Sequence, residues 1–201
     1  MKTRIFGVGM GAAGALLMLV QMLPAKADDA SELQTKIRAA LRTAKTFVQT
    51  VTMKGSPAAP LGGTATFTVV APNRYRQYVA SRPSGADDTI IIGHEVYGNE
   101  GKGWTVQTWT DRLVTGFEGA VFAVKVVAVG PDQTVDGKTV GSFVMVDPRG
   151  AKETDTMNCT YQKRTFRPIS CSDAMSRIEF LNYDDPNVTI ETPKNAKRTD
   201  K

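Results

Sequence analysis

From Thr64 onward the apolar residues of this 201-residue chain recur at every second position, and that change of period limits what it can fold into. Ala65, Phe67 and Val69 alternate with Thr64, Thr66 and Thr68 until Pro72 ends the run, the pattern of a strand with one face buried. Further strands are expected at 74–80, 89–92, 95–98 and 103–109, separated by Pro83-Ser84-Gly85 and by the glycine-rich stretch 98–103. Residues 110–120 are ambiguous and leave room for a short helix. An apolar, β-branched run at 122–129 is broken by Gly130-Pro131 and Asp136-Gly137 and resumes at 139–146, which reads as a hairpin with a long loop. Segments 154–163, 168–173 and 177–183 read as three successive strands, and Pro186 and Pro193 bracket a last extended piece through Ile190.

Ahead of these strands one helix is expected over 31–50. Ser31 followed three residues later by Gln34 forms a capping box, and Leu33, Ile37, Ala40, Leu41, Ala44, Phe47 and Val48 recur at helical spacing. One amphipathic helix followed by eight or more locally joined antiparallel strands is an α+β pattern: a highly curved sheet with a helix against its concave side.

The first 27 residues read as a leader. Lys2 and Arg4 precede an apolar stretch at 6–23 loosened by Gly7, Gly9, Gly11 and Gly14, and Ala25-Lys26-Ala27 supplies a small-residue cleavage site after Ala27. The uninterrupted apolar core, 15–20, is shorter than the roughly 20 residues that cross a bilayer, and Pro24 follows it. A secretory signal peptide is therefore expected, then one domain over 28–193 and a basic, disordered tail over 194–201. No cysteine near the cleavage point offers a lipid-attachment site, so the mature protein is expected to be soluble.

The formal net charge of +5 includes Lys2, Arg4 and Lys26 of the leader, which has no acid, and leaves the mature chain near +2. That surplus does not argue for nucleic acid. Cys159 and Cys171 flank 160–170 as two positions facing each other across a hairpin would, and in an exported protein a disulfide between them is expected. Closing so short a loop contributes roughly 3 kcal/mol in the chain-entropy model, a structural effect.

Several segments together resemble the periplasmic lipoprotein-carrier superfamily, which includes LolA, LolB and the mycobacterial LppX and LprG proteins. They are the helix ending Ala44-Lys45-Thr46-Phe47, the turn Ala71-Pro72-Asn73-Arg74-Tyr75-Arg76, Ile91-Ile92-Gly93-His94-Glu95-Val96-Tyr97 followed by Gly103-Trp104, the Val135-Asp136-Gly137-Lys138 turn, and the ending Tyr183-Asp184-Asp185-Pro186 to Thr192-Pro193. The likeness spans most of the mature chain, although each motif alone is weak. It implies an unclosed β-barrel capped by helices, with an apolar cavity for acyl chains and no catalytic group. Its expected partners are a lipid or lipidated protein and a membrane-bound donor or acceptor protein; its expected location is the bacterial periplasm. The missing lipid-attachment cysteine departs from the anchored members, and no residue of a transfer interface carries over.

Alternation names the residues expected to line such a cavity: Phe67, Val69, Tyr75, Val79, Ile91, Val96, Trp104, Val106, Phe122, Val124, Phe143 and Met145. Ordinary core packing explains any one of them as well. Trp104, Phe67 and Phe122 are the expected wall residues.

Catalytic chemistry is poorly supplied. His94 is the only histidine, which rules out a metal site built on two histidines and leaves it as a hairpin-edge residue near Tyr97. Asp87-Asp88 and Asp184-Asp185 follow turn signals and read as solvated turns, and no cofactor or metal motif is present. Asn158-Cys159-Thr160 and Asn187-Val188-Thr189 match the N-glycosylation pattern, but such short patterns arise by chance and the resemblance points to a bacterial protein. Two functional classes remain: a non-enzymatic binder or carrier of acyl chains, or a protein-interaction or envelope-sensor module whose interior is filled by its own side chains.

Overall fold

A computed structural model describes residues 27–54, 62–80, 87–99, 101–146 and 155–199. Residues 1–26 of the expected 1–27 leader and the Pro83-Ser84-Gly85 break lie outside the described residues. Helix α1 (Ala27–Thr43) leads into β1 (Thr46–Met53), β2 (Gly63–Val70), β3 (Arg74–Val79), β4 (Asp87–Ile92), β5 (Glu95–Asn99) and β6 (Thr105–Thr108). Helix α2 (Asp111–Val121) follows, then β7 (Val126–Val135), β8 (Lys138–Val146), β9 (Thr156–Tyr161), β10 (Pro168–Ser172), β11 (Ser176–Leu181) and β12 (Lys197–Arg198).

Among the described residues the twelve strands form one curved sheet in the order β12-β6-β5-β4-β3-β2-β1-β11-β10-β9-β8-β7. Every pairing is antiparallel except β12 with β6, and β12 and β7 remain as edges. The fold is the expected α+β unclosed barrel with helices on its concave face. α1 buries Ala30, Leu33, Ile37 and Leu41, the stripe of an amphipathic helix, and with the following Ala44 they join Val69, Phe143, Met145, Met157 and Ile178 of the inner sheet face in one core. Ile37 is fully buried, and truncating such a side chain to Ala costs about 2–5 kcal/mol.

The helix is shorter than its spacing suggested. Thr46 to Met53 is strand, because the β-branched alternation of Thr46, Val48, Thr50 and Thr52 with Phe47 and Val51 outweighs the accidental helical register of 44, 47 and 48. Phe47 is fully buried, with Phe122 edge-on at 6.2 Å and Tyr183 at 5.8 Å between ring centroids. Ser31 lies inside the helix, which starts at Ala27, and Gln34 serves another purpose: its side-chain oxygen accepts the Val126 N–H at 3.0 Å, fastening α1 to the start of β7.

Gly130-Pro131 was expected to break the chain, yet β7 runs through it. The register slips between Gly130 and Gln133, a bulge that accommodates a proline with no N–H to donate. The β7–β8 turn is Asp136-Gly137, both at positive φ (49° and 74°), the geometry of a two-residue hairpin. Gly141 has no substitute, since a Cβ there would stand 2.3 Å from the Tyr161 ring. Cys159 and Cys171 are disulfide-bonded between register partners of β9 and β10.

Residues 197–199, within the 194–201 tail expected to be disordered, pair with the sheet. Lys197 N–H donates to Trp104 O and Thr199 N–H to Val106 O, both at 2.9 Å, so β12 covers the β6 edge. Arg198 donates to Glu95 Oε1 at 2.6 Å and to Thr108 Oγ1 at 3.1 Å.

Candidate functional site

Two adjoining hollows lie between the inner sheet face and the helices. The first, about 360 Å³, has a floor of Val51, Phe67, Phe143, Met145, Pro168, Cys171, Ile178 and Phe180, with Gln49 and Gln77 among them; Leu41 of α1, Phe117 and Val121 of α2, Ala123 and Val124 close it. The second, about 370 Å³, is bounded by Leu41 and Arg42 of α1, the following Ala44, and Val69, Ala71, Pro72 and Tyr75 of the β2–β3 hairpin. Thr115, Glu118 and Gly119 of α2 and the following Phe122 complete it. Leu41 borders both.

No protein-family model matches the sequence, and no curated protein matches it. The structure is similar to that of LprF from Mycobacterium bovis, with 14% sequence identity over 85% of this chain and 98% of that one and a TM-score of 0.54. It is also similar to the Mycobacterium tuberculosis lipoprotein LppX, with 15% identity over 79% of this chain and 99% of that one and a TM-score of 0.50. The chain has an LppX-like fold.

Within this LppX-like fold the expected wall residues separate into four groups. Phe67, Val124, Phe143 and Met145 line the first hollow, and Val69, Tyr75 and Phe122 line the second. Ile91 and Val96 are buried in the same inner core beside Tyr75, and Val79 is half-buried on the same face, opposite Ala65, at the end of β3. Trp104 and Val106 are the corrections: they belong to a separate cluster with Ile90, Tyr97 and Ile190 on the outer face. The register runs Arg76–Ile90–Tyr97–Val106 on that side and Tyr75–Ile91–Val96 on the inner one. The outer face there is apolar because the C-terminal segment covers it.

Gln49 lay inside the helix expected over 31–50 and Val51 just past its end, whereas Gln77, Ile178 and Phe180 were within reach of strict alternation. Phe117 falls in the ambiguous segment 110–120, and Val121, four residues on, lies just beyond it. A wider outer groove of about 640 Å³, bordered by Arg76, Trp104, Thr189, Glu191 and Lys194, is polar and open and does not suit an acyl chain.

Helix α2 is held over the hollows by few contacts. Phe117 packs edge-on against Tyr75 at 5.5 Å and Trp109 at 6.3 Å. The Tyr75 hydroxyl donates to Glu118 Oε1 at 2.7 Å, and burial first, then the Glu118 carboxylate, push the phenol's pKa well above its ordinary value. His94 Nε2 donates to Asp111 Oδ1 at 2.7 Å at the exposed start of α2, which joins the β4–β5 turn to that helix.

The aspartate pairs serve the framework. Asp88 receives both Arg76 Nε at 2.9 Å and Nη2 at 2.6 Å, a bidentate pair. Asp184 accepts the Lys45 N–H at 2.7 Å and pairs with Arg167, and these hold its pKa below the ordinary value. Asp185 accepts the Asn187 N–H at 2.9 Å. Among the described residues no group of three His, Cys, Asp or Glu side chains is placed to hold a metal ion. No described helix is long and apolar enough to cross a membrane.

Proposed function

We propose that this protein is a soluble periplasmic binder or carrier of an acyl-bearing amphiphile, a lipid or lipidated protein, which it holds between the sheet and the two helices without chemical conversion. The observation that carries this reading is the first hollow: about 360 Å³, lined by apolar side chains from both helices and five strands, and without a charged residue. At about 30 Å³ for a water-sized group, that volume takes on the order of a dozen methylenes. Each buried methylene contributes about 0.8 kcal/mol, so a chain of that length offers about 10 kcal/mol before the costs of association. The more polar second hollow, with Arg42, Thr115 and Glu118 at its border, adjoins the first and suits a headgroup.

The test is to purify the mature protein from a bacterial periplasm under native conditions and analyse an organic extract by mass spectrometry. The carrier reading expects a stoichiometric acyl lipid. A clean extract, together with failure of the neutral probe N-phenyl-1-naphthylamine to bind, would overturn it in favour of a protein-interaction module.

A further inference from the structure

Gln49 and Gln77 do not suit a chamber built only for hydrocarbon. They point inward from β1 and β3, each in register with Phe67 of β2, so the inward side chains read Gln49, Phe67, Gln77 across three neighbouring strands. Two strand spacings place them about 10 Å apart. Both line the first hollow and both are half-buried. Among the described residues neither amide has a hydrogen-bond partner. Every fully buried side-chain nitrogen or oxygen there does have one, so these two amides open onto the chamber instead of being sealed in its wall.

A saturated chain lying across them would strip water from two amides and return nothing, a desolvation cost at each. An acyl carbonyl accepts from the glutamine NH₂ groups and removes that cost. The lining carries no charged side chain, so a neutral carbonyl fits it and an ionised carboxylate does not. Resting on the carrier reading above, we propose that the chamber selects acyl esters or amides over bare hydrocarbon and free fatty acid, with the ligand carbonyl seated over Phe67 between Gln49 and Gln77.

The experiment measures displacement of N-phenyl-1-naphthylamine from the mature protein by methyl palmitate, N-methylpalmitamide, palmitate and hexadecane, in wild type and in the near-isosteric Q49M/Q77M variant. Each ligand's affinity is divided by that of hexadecane, and comparing this ratio between the two proteins cancels the ligands' own water solubilities. The proposal expects the carbonyl-to-hexadecane ratio to fall about tenfold in the variant, with the palmitate ratio unchanged. A stronger effect on the ester points to a glycerolipid source, and one on the amide to an N-acylated chain; both support the proposal. An unchanged carbonyl ratio overturns it while leaving the carrier reading standing. No probe binding by protein whose organic extract is lipid-free overturns both. If the variant does not fold, Q49M and Q77M made singly are each expected to show part of the fall, and no change in either sinks the idea.

Discussion

Tyr75 Oη and Glu118 Oε1 meet at 2.7 Å, linking the middle of the sheet to the helix that roofs both hollows. Tyr75 is only 4% exposed, and its ring also supports Phe117. The same phenol thus anchors α2 by packing and by a charge-assisted hydrogen bond. Helix α2 itself carries Gly116 and Gly119, which weaken a helix interior by roughly 1 kcal/mol each relative to alanine, so its position depends on these anchors.

Tyr75→Phe keeps the ring and removes the hydroxyl. Amide exchange across 111–121 is expected to accelerate about tenfold, with little change in the strands, because one hydrogen bond to a carboxylate is lost. Hydrogen-exchange mass spectrometry checks this, and unchanged exchange in α2 would show the aromatic contacts to be sufficient. The phenol's raised pKa has a pH counterpart: its contribution is complete below about pH 10, the unfolded value, and disappears as pH rises through the higher native one.

Asp184 behaves in the opposite sense. Its pKa is lowered by Arg167 and then by the Lys45 N–H, so its contribution is present above about pH 3.9 and is lost as pH falls through the native value. Asp184→Asn keeps an acceptor for Lys45 and tolerates the positive φ of 57°. Urea midpoints should show wild type more stable at pH 7 by about 1 kcal/mol or less, since the pair is partly exposed, and the two proteins converging near pH 3. A difference that persists at pH 3 would argue against ionisation as the cause.

Replacing both Cys159 and Cys171 by Ser removes a bond between register partners separated by 12 residues. A loss of roughly 3 kcal/mol is expected in denaturant unfolding, with probe binding retained by the folded fraction. Loss of binding without loss of stability would give the bridge a direct part in the chamber, whose floor includes Cys171.

Val51→Phe should shorten the chamber. Filling it displaces two or three methylenes of ligand, which corresponds to at least tenfold weaker binding of methyl palmitate with little change in melting temperature. Full affinity in a folded variant would move the acyl site elsewhere.

Trp104→Phe tests the sheet's two-sidedness. Trp104 packs outside, near Ile190 and beneath the C-terminal segment, so ligand binding is expected to be unaffected. Trp109, in contact with Phe117, is left to report ligand through its fluorescence. A binding defect in this variant would falsify the assignment of Trp104 to the outer face.

The strands, the Asp136-Gly137 hairpin and the cysteine pairing were legible because each depends on local period or turn chemistry. The end of α1 was not. Ala44, Phe47 and Val48 satisfy a helical stripe and an inward-outward alternation equally over so short a span, and only the neighbours β2 and β11 decide between them. Trp104 and Val106 failed for a different reason. β4 reads Ile90-Ile91-Ile92, apolar on both faces, so alternation carries no phase there. The residues that make the outer face a second small core lie far along the chain, at Ile190 and Ala196. Gln77 was the reverse case: its position two residues after Tyr75 places it inward, but a search for apolar walls passes over a polar side chain.

The order of strands has a consequence for how the molecule assembles. β1 to β6 form one run of neighbours in chain order and β7 to β11 another, and the two runs meet only where Val48 to Met53 pair with Ser176 to Leu181. Each run can form from local contacts, but that seam joins a strand made near the start of synthesis to one made near its end, and such distant pairings are slow to find. Until the seam closes, β1 is an unprotected edge that carries apolar Val51, the state in which a chain is most prone to pair with another copy. Substitutions along Val51 and Ile178 are therefore expected to lower the yield of folded protein more than their effect on equilibrium stability predicts.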